Sequence, residues 1–160
     1  MRCRVLTLEF RDDGGAHGDL LLHFGETTKV CDSYFFMLDN GLRPDDESPE
    51  KTRKVVAALL RQWSADLRAL EPGATAYLPF DFSDQYSGWI RAELGDGDGL
   101  DLALVWTATR GFEGWAFNPS DYKRQLRRHT AAWQSEPDQP TLRAARPDVL
   151  AGIDTSLRSL

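Results

Sequence analysis

The stretch 86–109, YSGWIRAELGDGDGLDLALVWTAT, decides the fold. In its first half Tyr86, Ile90 and Leu94 share one face of an alternating pattern, and Arg91 and Glu93 share the other. A period of two with one apolar and one polar side is the mark of a strand half exposed to water. Gly95-Asp96-Gly97-Asp98-Gly99 follows as a turn. Residues 101–109 are apolar on both faces, with Leu102, Leu104 and Trp106 against Ala103 and Val105. That pattern belongs to a strand covered on both sides. The stretch therefore reads as an antiparallel hairpin whose second strand is central to a larger sheet.

Upstream, residues 76–82 place Leu78, Phe80 and Phe82 on one side. Pro79 has no N–H to give to a ladder, so this strand lies at an edge or carries a bulge. Before it, Ser48 and Pro49 form a helix start, as N-cap and first helical residue. Val56, Leu59, Leu60, Trp63, Leu67 and Leu70 recur at three- and four-residue spacings over 49–70, and Pro72-Gly73 ends the run. Three shorter strands are expected at 2–10, 19–24 and 28–38, joined by connections too short for parallel crossovers. Downstream, Asn118-Pro119 opens a second helix with Tyr122, Leu126, His129 and Trp133 on its stripe. Residues 135–147 contain Pro137, Pro140 and Pro147 and read as a linker; residues 148–159 read as a short C-terminal helix that docks on its own domain or on a second copy. The expectation is a single α+β domain over 1–160. It has a mostly antiparallel sheet, two main helices packed on one face and the short C-terminal helix.

The chain of 160 residues is long enough to bury a core without metal or disulfide staples. Its net charge of −6 argues against nucleic acid, which demands clustered Lys and Arg. No apolar run reaches the roughly 20 residues that span a bilayer, and the apolar stretch after Arg2 and Arg4 is broken by Thr7 and Glu9, unlike a secretory leader. We therefore expect a cytoplasmic protein with no membrane contact. Cys3 and Cys31 fall in strands and read as reduced, packed thiols.

The sequence carries few chemical motifs. The 95–99 turn lacks the Gly-Lys-Ser/Thr of a phosphate loop and the later ligands of a calcium loop. With His17, His23 and His129 scattered, no zinc spacing exists, so neither metal nor cofactor is expected. There is no Gly-x-Ser-x-Gly elbow, and His23 and His129 read as packed histidines. Asp81 and Asp84 sit in an aromatic frame but on the polar side and in a turn, so no catalytic residue is assigned.

The unusual segment is 77–117. It holds nine of the 17 aromatics and seven acids against two bases. Trp89 shares its strand face with Arg91 and Glu93, and Trp115 lies in a glycine-flanked loop. Aromatic anchors rimmed by acids suit recognition of a cationic surface. The expected partner-binding set is Asp84, Trp89, Glu93, Glu113 and Trp115. The leading functional reading is a non-enzymatic binding module of inhibitor or immunity type with a cationic protein partner. A small carboxylate-dependent enzyme or small-molecule-binding domain is the second reading, and an architectural homodimer the third.

Overall fold

A computed structural model of the chain describes residues 5–12, 18–33, 48–82, 86–108 and 139–160. Its N-terminal part is a three-stranded antiparallel sheet of β1 (Leu6–Phe10), β2 (Leu20–Phe24) and β3 (Thr27–Cys31), in that spatial order. Leu6, Leu8, Leu20, Leu22 and Phe24 alternate onto its core face. Gly25, with φ +57°, takes the left-handed position that lets β2 reverse into β3 in two residues. The third strand is shorter than the sequence suggests, and residues 34–38 of that expected strand lie outside the described residues.

Helix α1 (Pro49–Arg68) begins as its sequence dictates. Ser48 has extended backbone and its hydroxyl accepts from Lys51 N at 3.2 Å, while Pro49 takes the first helical position, where a missing N–H costs nothing. Val56, Leu59, Leu60, Trp63 and Leu67 are buried, as the spacing predicts, and Val55 and Thr52 widen the stripe. Each fully buried leucine or valine there contributes about 1.5–3 kcal/mol. Trp63 also donates its indole N–H to Pro79 O at 3.0 Å, tying the helix to the second sheet.

That second sheet is antiparallel and four-stranded, in the order β4 (Thr75–Phe82), β5 (Tyr86–Leu94), β6 (Gly99–Ala108) and β7 (Thr141–Ala145). The expected hairpin is β5–β6, with Ile90 opposite Leu104 and Glu93 opposite Asp101. Among the described residues the proline-bearing strand β4 is an edge, and it is bulged, its register slipping between Pro79 and Asp81. The missing N–H of Pro79 therefore interrupts no central ladder.

Residues 141–145 correct the linker reading of 135–147. They form β7, which pairs with the outer side of β6, Leu102 opposite Leu142. Pro140 stands just before β7, where its carbonyl still accepts from Leu104 N at 3.2 Å, and Pro147 lies in the first turn of α2 (Arg146–Ser159). Both prolines sit at element starts, where they disturb no bond. The C-terminal helix is thus 14 residues long. It docks on its own chain, against β1 and α1.

The fold class is α+β, as expected, but the described residues form two antiparallel sheets rather than one. The two described helices pack on each other, α2 lying against β1 of one sheet and α1 reaching β4 of the other. The main helix expected after Asn118 lies outside the described residues. One buried cluster runs through both sheets and both helices, from Leu6 and Leu22 to Leu60, Trp63, Ile90, Leu102, Val149 and Ile153.

Candidate functional site

The β4–β7 sheet has two unlike faces. Leu78, Ile90, Ala92, Leu102 and Leu104 turn into the core. Cross-strand pairing sets the opposite face in rows: Pro79, Trp89 and Val105; then Tyr77, Arg91, Ala103 and Thr141; then Thr75, Glu93, Asp101 and Arg143. Burial falls from row to row. Trp89 is 0% exposed and Val105 3%, Tyr77 is half-buried, and Arg91, Glu93, Asp101 and Arg143 are exposed.

This gradient corrects one expectation. Trp89 does stand on the strand face shared with Arg91 and Glu93, yet its ring is sealed. Alternation fixes the face a side chain takes, whereas coverage along that face depends on what packs at each end. Trp89 is therefore a core residue beside the polar rows and not an exposed anchor. Glu93 is placed in the open, on the last row. Asp84, Glu113 and Trp115 lie outside the described residues.

The exposed rows carry a definite electrostatic arrangement. Glu93 and Asp101 are direct cross-strand partners, and like charges so placed repel. Arg143, opposite Asp101 on β7, reaches that carboxylate at 3.8 Å. No ion pair reaches Glu93 or Arg91 among the described residues. Burial raises the Tyr77 phenol above its ordinary value; Arg91 acts against this shift and Glu93 with it, which places both charges in reach of the ring. Two acids and two arginines balance on the described rows, so the acidity of the 77–117 segment is not concentrated there.

Phe80 and Trp106 of the segment are structural. Phe80 meets Trp106 edge to face at 5.8 Å and 84°, over Gly88, where an added Cβ would come within 2.9 Å of the Phe80 ring. Lys29 of β3 lies 5.6 Å from the Trp106 ring, a cation–π contact across the two sheets.

The remaining titratable groups divide by burial. Cys31 is 3% exposed, and burial, reinforced by the nearby Asp81 carboxylate, pushes its thiol up to about 12. A thiol so held supplies no thiolate at neutral pH. Asp19, 3% exposed, accepts from Ser33 N at 2.9 Å and from the Ser33 hydroxyl at 2.5 Å. Burial raises its carboxyl above the ordinary range despite those bonds. His23 lies between two polar groups, Nε2 at 3.4 Å from Glu9 Oε2 and Nδ1 at 3.3 Å from the Thr28 hydroxyl. The sequence reading missed this contact, because only the strand register brings Glu9, His23 and Thr28 together.

In the 95–99 turn Gly97 takes φ +71° and Gly95 N donates to Gly99 O at 2.9 Å. Asp98 is held by Arg146, whose N–H donates to the Asp98 carbonyl at 2.7 Å and whose guanidinium pairs with its carboxylate. Among the described residues no group of three or more His, Cys, Asp or Glu is placed to hold a metal ion, and no helix is long and apolar enough to cross a membrane. Comparisons of the chain with protein-family models, curated protein sequences and solved structures gave no match.

Proposed function

We propose that this protein is a non-enzymatic binding module that presents the Glu93–Asp101 end of the polar β4–β7 face to a protein partner with a cationic surface. The observation that carries the reading is Glu93: exposed, without an ion pair among the described residues, and directly opposite Asp101. Cross-strand acids repel, Arg143 answers only Asp101, and an incoming Arg or Lys would answer Glu93. The long β5–β6 hairpin holds these groups on a rigid base, with the sealed Trp89 row further along the same face. The net charge of −6 favours the same kind of partner. Asp84, Glu113 and Trp115 remain part of the proposed surface on their sequence context, with Trp115 as its aromatic anchor.

The test is capture of partners from the native lysate by the tagged protein, with Glu93→Arg and Trp115→Ala compared at low and high ionic strength. We expect Glu93→Arg to weaken capture chiefly at low salt, since exposed charges act over a Debye length of about 10 Å at 0.1 M. Trp115→Ala should weaken it at both, with melting temperatures unchanged. A partner retained equally by both variants would bind elsewhere and remove the reading.

A further inference from the structure

The outer face of the three-stranded sheet gathers a second set of groups. His23 and Thr28 are direct cross-strand partners of β2 and β3, and Glu9 of β1 is diagonal to His23. A carboxylate only accepts, so the ring nitrogen facing Glu9, Nε2, carries a hydrogen; in the neutral ring Nδ1 is then the acceptor and the Thr28 O–H its donor. Arg11 lies 3.6 Å from Oε1, the other oxygen of the same carboxylate, which leaves Oε2 directed at the ring. Nucleophile, base and orienting acid thus stand in series, at distances that tighten when the hydroxyl loses its proton. Thr28 is exposed, and Val30, two residues on along the same face, is 66% exposed, the one large exposed apolar side chain among the described residues.

We propose that Thr28 is an acyl-acceptor site, modified by an activated acyl donor such as a thioester or aryl ester. In the step, the Thr28 oxygen forms a bond to the acyl carbon as its proton passes to His23 Nδ1. The bond from that carbon to the thiolate or phenolate breaks, and the leaving group takes the proton from His23. Glu9 holds the ring and stabilises its transient positive charge, and Val30 offers contact to the acyl chain or aryl ring. The site lies on a different sheet from Glu93 and does not depend on the binding reading above.

The probe is p-nitrophenyl acetate on the full-length protein, followed by p-nitrophenol release, intact mass and peptide mapping after acid quench. We expect acetyl on Thr28 as an ester that hydroxylamine removes, which distinguishes it from an amide on the neighbouring Lys29. Thr28→Val should abolish that adduct and the release that depends on it, and Thr28→Ser should restore both. His23→Gln should slow the step at least tenfold, the lower range for loss of a general base being about a hundredfold. Since all three side chains are at least partly exposed, melting curves of the variants should match the parent. Acetyl found only on lysines, or Thr28 acetylated as fast in His23→Gln as in the parent, would overturn the proposal.

Discussion

Asp19 is a buried acid whose carboxylate oxygens are both engaged by Ser33, one by the backbone N–H and one by the hydroxyl. Two influences compete. The hydrogen bonds favour the charged form, while burial and the nearby Asp32 favour the neutral form, and burial is the larger. The folded-state pKa is thus raised above the unfolded value, so the folded chain binds more protons between the two. Stability from this group is then fully present below the unfolded value of about 3.9 and declines as pH rises through the folded-state value. Asp19→Asn removes the titration and keeps an acceptor for Ser33 N. We expect the parent to lose stability relative to Asp19→Asn as pH rises through that window, with a constant difference above it, measured by urea midpoints. A difference that runs the other way would mean that the Ser33 bonds outweigh burial.

At the scale of elements, α2 meets β1 more closely than ordinary side-chain packing allows. A Cβ built on Gly152 would stand 2.1 Å from Leu6 O, a backbone atom that cannot swing away. One turn later the Ser156 hydroxyl accepts from Leu8 N at 2.9 Å and donates to Gly152 O at 3.2 Å. The helix therefore covers the outer edge of β1 and satisfies one of its free donors, which protects an otherwise open strand edge. Helix propensity alone favours Gly152→Ala by about 1 kcal/mol. The contact predicts the opposite sign, with α2 displaced and a loss at the upper end of overpacking costs, about 3 kcal/mol. Urea denaturation decides between them, and a neutral or stabilising result would show that α2 does not sit on β1. The same element shows where sequence reading stops. The apolar stripe of Val149, Ile153 and Leu157 is legible, but nothing local marks Gly152 and Ser156 until the strand edge lies beside them. By contrast α1 was legible in full, since its cap, its proline and its stripe are all local signals.

Over the whole molecule, local period was a sound guide and coverage was not. The β5–β6 hairpin, the buried central strand and the bulged edge at Pro79 followed from alternation and one missing N–H. Trp89 was misjudged because its face changes from sealed to open within two residues. The strand β7 was missed because its half-buried positions are only Leu142 and Ala144 and its flanking prolines suggest a linker. Yet β7 and α2 together close the molecule: one extends the second sheet, and the other caps the first. Arg146, at their junction, donates to Leu70 O at 3.0 Å at the end of α1 and pairs with Asp98 in the β5–β6 turn, so three distant parts of the chain meet at one side chain. Truncation after Ser135 removes all of this. It deletes Val149 and Ile153, both 0% exposed and each contributing about 1.5–3 kcal/mol, and it opens the edges of β1 and β6. Against a usual total of about 5–15 kcal/mol, that loss is enough to abolish cooperative folding or bring it to the margin. We expect the truncated chain to lose the near-ultraviolet dichroism of its packed tryptophans and the sharp urea transition of the parent. A truncated chain that melts like the parent would show that the first sheet stands without its helical cap, and that the core closes around α1 alone.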